Sequence, residues 1–353
     1  MKKVVIIGGG FVGSYIARKL EDIFEVILID NKKYFEFTPS TLELVVSSKL
    51  KEKIRIFHKD YLKKSKIIID KVQAVEKSKV ILSKGKKIEF DYLVICSGSS
   101  YNSNIKGENV FSAKNSDDLI SSYEKLKYSK NILIIGGGLV GVELASEIYS
   151  KYPEKNITII DLLNSILSRN NKDTIGYVEK DLSKNNVKII LNEKIIERKG
   201  RYFITDKNTK IKTDIAYLSI GVKPNSDFMN ENFKESLDKK GQIIINQHLQ
   251  LLNYTNIFSA GDVNSLSEEK TAQNAKRQAE LVSYNIVALE SNKKLKSYHE
   301  KKTPIIISLG KWNGIFETEK LSFGGIIPAL LKYFVEIREL LPYKFRKWKN
   351  LKN

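Results

Sequence analysis

A glycine turn set between an apolar run and a helical pattern occurs twice in this chain, and each copy has a carboxylate behind it. The first copy is Val4-Val5-Ile6-Ile7-Gly8-Gly9-Gly10-Phe11-Val12-Gly13, followed by Glu25-Val26-Ile27-Leu28-Ile29-Asp30. The second is Ile132-Leu133-Ile134-Ile135-Gly136-Gly137-Gly138-Leu139-Val140-Gly141, followed by Ile157-Thr158-Ile159-Ile160-Asp161. Each reads as a buried strand, a tight turn, a helix, a second buried strand and an acidic residue. That is the dinucleotide fingerprint: the glycines make the turn, admit a pyrophosphate and let helix pack on strand. The pyrophosphate is expected on the helix N-terminus, where free N–H groups and the helix dipole favour an anion. The closing aspartate can accept from a ribose hydroxyl. One such pattern is weak evidence, but two in full strand–helix–strand context predict an α/β protein that holds two dinucleotides.

The remaining composition chiefly excludes. The 353 residues leave room for two or three domains, and 42% hydrophobic content is globular. The formal charge of +19 comes from lysines spread along the whole chain, not from a focused basic face, so no nucleic acid partner is expected. An anionic membrane surface suits the charge better. Cys96 is the only cysteine, which removes disulfides, CxxC pairs and thiolate zinc sites. His58, His248 and His299 are scattered and polar-flanked, so no metal site is expected. The opening Met-Lys-Lys has no secretory h-region and, with Lys2, no glycine for myristoylation. No apolar run is long enough to span a bilayer.

Along the chain, Tyr34-Phe35-Glu36-Phe37-Thr38-Pro39 reads as a loop and then a short helix. Residues 66–90 alternate in three short runs, with Ser83-Lys84-Gly85-Lys86 as a hairpin turn, which predicts a β-meander. Asp91-Tyr92-Leu93-Val94-Ile95-Cys96-Ser97-Gly98-Ser99 predicts a buried parallel strand entering a tight turn. The second unit has its own β insertion around 187–212 and closes with a run from Ile215 to Ile220, ahead of Gly221. Asn256-Ile257-Phe258-Ser259-Ala260-Gly261-Asp262 is a further buried strand with a carboxylate at its C-terminal tip, where open α/β sheets bind ligands. A helix follows from about Thr271 to Glu290. The order implies a first nucleotide domain interrupted by a second: 1–112 and 227–300 around 113–226, with 301–353 as a C-terminal region.

These segments resemble the two-dinucleotide-binding flavoprotein superfamily over nearly the whole chain. Asp91 to Ser99 is similar to its D-Y-L-V-I-A-T-G-S segment, with Cys96 and Ser97 in place of Ala and Thr, and Gly261-Asp262 is similar to its G-D motif. Within it the chain resembles the apoptosis-inducing-factor homologues known as ferroptosis suppressor proteins, in particular their plant-type forms. Lys33-Tyr34-Phe35-Glu36 is similar to their K-x-Y-F-E loop, one residue shorter, and His58-Lys59-Asp60-Tyr61-Leu62 to an H-x-D-Y-L strand. Lys270 follows Gly261-Asp262 at the family's spacing, before a helix through Asn285. Ser308-Leu309-Gly310-Lys311-Trp312-Asn313-Gly314 resembles S-L/M-G-R-x-D-G. The helix start Ala272-Gln273-Asn274-Ala275-Lys276-Arg277-Gln278 is also similar to the A-Q-x-A-x-Q stretch of type II NADH dehydrogenases, with Arg277 in place of the last Gln.

The resemblance implies a FAD-dependent NAD(P)H:quinone reductase. Gly8, Gly10, Gly13, Asp30, Ser97, Gly98, Gly261 and Asp262 are expected on FAD, with Asp262 on the ribityl chain. Gly136, Gly138, Gly141, Asp161 and Gly221 are expected on the nicotinamide dinucleotide. Asp161 would repel a 2′-phosphate, which favours NADH over NADPH. The catalytic candidates are Glu143, placed by the resemblance at the nicotinamide and flavin, and Lys270, a cation for charge developing on flavin or quinone. The plainer readings are dipole compensation for Glu143 and a solvated side chain for Lys270. Cys96 fills a position taken by Ala in relatives and reads as a small buried hydrophobe. With no cysteine in 31–60, hydride is expected to pass from nicotinamide to flavin and on to the acceptor without a thiol step.

From residue 321 the chain follows a helical period. Ile327, Leu330, Leu331, Phe334, Ile337 and Leu341 share one face, Lys332, Glu336 and Glu339 the other, and Pro328 fits the first turn. Lys344, Arg346, Lys347, Lys349 and Lys352 follow, interleaved with Tyr343, Phe345 and Trp348. This predicts an interfacial anchor; the alternatives are a helix packed on the flavin domain or a homodimer contact. The expectation is therefore a cytoplasmic enzyme held peripherally at a membrane, with quinone as acceptor. The alternatives are a soluble reductase for ferredoxin, rubredoxin or oxygen, and a signalling flavoprotein resembling apoptosis-inducing factor.

Overall fold

Strands that are apolar on both faces must be covered on both, and this chain meets that demand with two parallel sheets of five strands each. The computed structural model describes residues 1–101 and 103–350, with side chains as far as Phe345. The first sheet runs Ile257–Ser259, Tyr92–Ile95, Lys3–Ile7, Glu25–Asp30, Lys66–Ile69, all parallel. The second runs Val110–Ser112, Ile215–Leu218, Asn131–Ile135, Asn156–Ile160, Lys188–Ile190, also all parallel. Val4, Val5, Ile6, Leu93, Val94 and Ile134 are entirely buried. Each such side chain contributes about 1.5–3 kcal/mol relative to exposure.

The two units repeat one plan. In each, the strand after the fingerprint helix is followed by a third parallel strand and then by a three-stranded antiparallel meander. The meanders are Val72–Val75, Lys79–Leu82, Lys87–Glu89 and Ile195–Lys199, Tyr202–Thr205, Lys210–Lys212. The expected hairpin at 83–86 is present, closed by the Leu82 N–H on the Lys86 carbonyl at 2.9 Å.

Four local expectations change. Lys66–Ile69, expected in the meander, is the edge strand of the first parallel sheet. Tyr34–Glu36, expected as loop, is a strand paired antiparallel with Arg55–Phe57. His58–Tyr61, likened to a strand, is one helical turn. Val110–Ser112, placed at the end of the first nucleotide domain, pairs with Ile215–Leu218 of the second sheet, so that unit begins before residue 113. In the three strand cases a distant partner decides, and no local pattern reports such a partner.

The C-terminal region is a three-stranded antiparallel sheet, Ile305–Ser308, Gly314–Glu317 and Ser322–Gly324, leading into the helix Ile326–Asn350. That helix continues past Pro342, which removes one intrahelical hydrogen bond. Next to it Tyr343 is buried, stacked on Phe35 at 4.3 Å and bonded to the Ser14 hydroxyl at 2.8 Å.

Candidate active site

Both fingerprints fold in the same way, and the spaces around their glycines explain why. Gly8 and Gly136 adopt φ +103 and +113, and a Cβ on Gly8 would lie 2.3 Å from the Cys96 carbonyl oxygen. A Cβ on Gly13 or Gly141 would meet the first glycine's carbonyl oxygen at 1.9 Å, so helix can lie on strand only without a side chain there. Gly10 and Gly138 differ: nothing stands within 4 Å of where their Cβ would point. The space beside both helix starts is therefore open, and with the N–H groups that a helix N-terminus leaves unpaired it fits the pyrophosphate of a dinucleotide at each.

The carboxylates behind the turns are fixed by backbone donors. Asp30 Oδ2 accepts from the Gly9 N–H at 2.9 Å and Oδ1 from the Lys32 N–H at 3.1 Å. Asp161 Oδ2 accepts from the Gly137 N–H at 2.6 Å and Oδ1 from the Leu163 N–H at 2.8 Å. Asp30 has a further partner that sequence reasoning missed. His58 is fully buried, with Nε2 3.2 Å from Asp30 Oδ2 and Nδ1 2.6 Å from the Tyr61 hydroxyl. Its ring leaves no room for a Cβ on Gly9, 2.4 Å away. The H-x-D-Y-L likeness carried the signal, but the histidine's polar neighbours concealed its burial.

At the tips of the first sheet, Asp262 Oδ2 accepts from the Ser99 hydroxyl at 2.8 Å and from Lys114 Nζ at 3.0 Å. Lys114 also escaped the sequence reading. Gly261 donates its N–H to Gln278 Oε1 at 2.7 Å, which docks this tip on the helix Ala272–Glu290. The Ser97 hydroxyl donates to the Asn225 carbonyl at 2.6 Å, and the Gly98 carbonyl accepts from the Asn225 N–H at 2.9 Å. The ribbon Ser99–Tyr101 with Val222–Pro224 continues this link, so the turn after Cys96 and the segment after Gly221 are one crossover between the two units. Cys96 is buried and its thiol donates to the Gly8 carbonyl at 3.3 Å. Burial pushes the thiol far above its usual range, so it stays protonated.

Beside the second fingerprint lies a cleft of about 820 Å³ bordered by Tyr101, Gly136, Gly138, Asp161, Gly221 and Glu268. Glu143, one turn into the helix Leu139–Lys151, accepts from the Ser308 N–H at 2.8 Å and from Lys332 Nζ at 3.0 Å. Both donors come from the C-terminal region. Burial disfavours the Lys332 ammonium, but the charge and hydrogen bond of Glu143, with the charges of Glu147 and Glu43, together hold its pKa above the ordinary value. One turn further on, Glu147 is raised to about 7 by burial and then by the charge of Glu43. Lys270 lies just ahead of the helix Ala272–Glu290, as expected, and is tied to its own loop. Its ammonium is held by the loop, donating to the Asn264 and Leu266 carbonyls at 3.0 and 2.9 Å and to Asn264 Oδ1 at 3.3 Å. Burial lowers its pKa against the pull of Asp262. In this arrangement Lys270 braces the loop behind Asp262.

The C-terminal helix reverses the usual packing. Lys332, Glu336, Glu339 and Tyr343 face the protein: Glu336 is only 6% exposed and bonded to Lys53 at 2.6 Å and Ser40 at 3.2 Å, and Glu339 is bonded to Lys276 at 3.0 Å. Ile327, Leu330, Phe334, Ile337, Leu341 and Phe345 face outward, Phe334 and Phe345 each 63% exposed. Side chains of Arg346, Lys347, Trp348 and Lys349, and Lys352 altogether, lie outside the described residues.

Residues 2–279 match the family model for pyridine nucleotide-disulphide oxidoreductases. The chain belongs to that family. It is thus a FAD-dependent pyridine-nucleotide oxidoreductase in class, here with a single buried cysteine. It is 33% identical to apoptosis-inducing factor homolog A of Dictyostelium discoideum, over 94% of this chain and 88% of that one. It is 28% identical to ferroptosis suppressor protein 1 of Mus musculus, over 93% and 92%. The fold matches the sulfide:quinone oxidoreductase of Aquifex aeolicus with TM-score 0.86, at 20% identity over 98% and 92%. It also matches NDH2 of Plasmodium falciparum in complex with NADH, with TM-score 0.83 at 16% identity over 98% and 96%.

Proposed function

We propose that this protein is a FAD-dependent NADH:quinone oxidoreductase that works at a membrane surface without a redox-active cysteine. The observation that carries the reading is the reversed C-terminal helix. It offers an apolar face outward while Lys332 on its inner face reaches Glu143 beside the second fingerprint. A quinone with a long chain stays in the bilayer, and a helix lying on that bilayer brings the redox site to it. Among the described residues no helix is long and apolar enough to cross a membrane. The name of the Aquifex aeolicus neighbour includes a quinone, and the likeness to ferroptosis suppressor proteins points the same way.

Gly8, Gly10 and Gly13 would hold FAD at the first turn, with Asp30 behind them and Ser97, Gly98, Gly261 and Asp262 around the sheet tips. When bound, FAD supplies the two-electron chemistry between nicotinamide and acceptor. Gly136, Gly138, Gly141 and Gly221 would frame NADH, with Asp161 accepting from the ribose and repelling a 2′-phosphate. Lys332 holds the Glu143 carboxylate in one orientation, and the resemblance would bring that carboxylate to the nicotinamide and flavin as a proton acceptor.

The test is an anaerobic acceptor panel with NADH as donor: ubiquinone, menaquinone, a ferredoxin, then oxygen admitted separately. Quinone reduction far above the other acceptors is expected. Faster transfer to ferredoxin or oxygen would replace this reading with that of a soluble reductase.

A further inference from the structure

Where the helices Phe11–Leu20 and Ala272–Glu290 meet the C-terminal helix, they enclose a second cleft of about 430 Å³. It shares no lining residue with the cleft beside the second fingerprint, and Phe11 at the start of the first fingerprint helix is among the residues that line it. Its walls include Tyr15, Arg18, Lys19, Lys276, Pro342 and Tyr343. The guanidinium of Arg18 lies over the Tyr343 ring, 4.0 Å from its centre, and Arg18 Nε is buried with no hydrogen-bond partner. Among the described residues neither Arg18 nor Lys19 has a carboxylate within 4 Å, whereas Lys276 is paired with Glu339 at 3.0 Å. The remaining acid, Glu280, accepts from the Tyr15 hydroxyl at 3.4 Å. The cleft thus has three cations to two carboxylates.

A half-buried guanidinium without a counter-ion is costly unless something outside supplies one. With Nε buried, an anion would have to meet the guanidinium through its two terminal nitrogens, whose fork of parallel N–H groups suits a phosphate. Position decides which phosphate. Pro342 and Tyr343 line the cleft, and their neighbours Leu341 and Phe345 are exposed on the apolar face of the same helix. A bilayer resting on that face brings its phosphates to the helix flank and its acyl chains to Leu341 and Phe345. We infer that this cleft binds the headgroup phosphate of an anionic phospholipid, with Arg18 as its fork and Lys19 and Lys276 as flanking cations. The inference rests on the membrane-surface reading and gives it a lipid preference.

The test uses the full-length, FAD-loaded protein and flotation with phosphatidylcholine vesicles, with and without phosphatidylserine. R18K keeps the charge but loses the fork, and is expected to weaken binding to the anionic vesicles by about fivefold or more. R18Q combined with K19Q should weaken it further. Binding to pure phosphatidylcholine and turnover with a short-chain quinone should stay unchanged. A control pair far from the cleft, K239Q with K240Q, removes the same charge and should leave anionic binding nearly native. Calorimetry with dihexanoyl phosphatidylglycerol below its micellar concentration should find one site per chain, lost in R18Q/K19Q. Glycerol phosphate should bind at least about tenfold more weakly, because it lacks the apolar half. If R18K binds like the native protein, or R18Q/K19Q falls no further than the control pair, the charge acts as a diffuse field and the site does not exist. Equal binding of glycerol phosphate would overturn the lipid assignment. K19Q alone, at an exposed position, repeats the test if Arg18 variants fail to fold. Quinone failure in the acceptor panel with intact R18-dependent lipid binding would remove the quinone-reductase reading and keep this one.

Discussion

Glu143 and Lys332 are 189 residues apart and meet at 3.0 Å, so the second fingerprint helix depends on the tail for its charge partner. Replacing one member leaves the other partly buried and unpaired, which is the costlier state. Glu143→Gln and Lys332→Met should each lower turnover about tenfold, or about 1.4 kcal/mol at the barrier, with FAD still bound. The double variant should lose little more than either single one, a non-additivity that rate measurements on the four proteins would reveal. Rates that fall independently would separate the pair. On the proposed reading Asp161 sets donor choice, so D161A with an added arginine at Leu163 should shift stopped-flow reduction of the flavin from NADH toward NADPH. One turn beyond Glu143, Glu147 gives a pH signature. Its folded pKa, raised from 4.5 to about 7 by burial, lies above that of the unfolded chain. The unfolded state therefore holds fewer protons between those values, and the group's contribution falls as pH rises through that window and stays low above it. Glu147→Gln should accordingly gain melting temperature relative to the native protein as pH rises from 5 to 8, while the two start near each other at the acid end.

At the scale of elements, the C-terminal helix shows what periodicity reports and what it omits. The faces assigned from the 3.6-residue pattern are those of the structure, with Lys332, Glu336 and Glu339 together and Phe334 and Leu341 opposite. The pattern does not say which face turns inward, and here the charged one does, because Lys53, Lys276 and Glu143 wait beneath it. Tyr343, grouped by sequence with the basic aromatic cluster, is instead the helix's core anchor against Phe35, Tyr61 and Ser14. Tyr343→Ala should cost about 3–5 kcal/mol, read as a lower melting temperature and easier flavin release. The parallel strands were legible for a physical reason: residues such as Val4–Ile7 and Ile132–Ile135 are covered on both sides and so are apolar without alternation. Gly8, Gly13 and Gly141 were legible because close backbone approach there forbids any other residue. His58 and Lys114 were not, since each meets its aspartate through a tertiary contact that leaves no periodic trace.

At the scale of the molecule, one tail touches both nucleotide units. Lys332 reaches the second fingerprint helix, and Tyr343 bonds to Ser14 of the first. Removing the tail would therefore strip Glu143 of its partner and open the packing around Phe35, and lost activity would say nothing about membranes. Charge reversal on the outer face avoids that confusion. Phe334 and Phe345 touch solvent more than protein, so F334E with F345E should leave melting temperature, bound FAD and turnover with a short-chain quinone near native values. The same variant loses insertion area and faces an anionic surface with two added negative charges, each opposing adsorption by about 1 kcal/mol. Flotation with phosphatidylserine-containing vesicles should fail, and reduction of a long-chain quinone embedded in them should fall by about tenfold or more. Native vesicle binding and native long-chain activity in that variant would assign the apolar face to another occupant. A second copy of the chain would then show as a monomer–dimer difference between native and variant proteins in sedimentation.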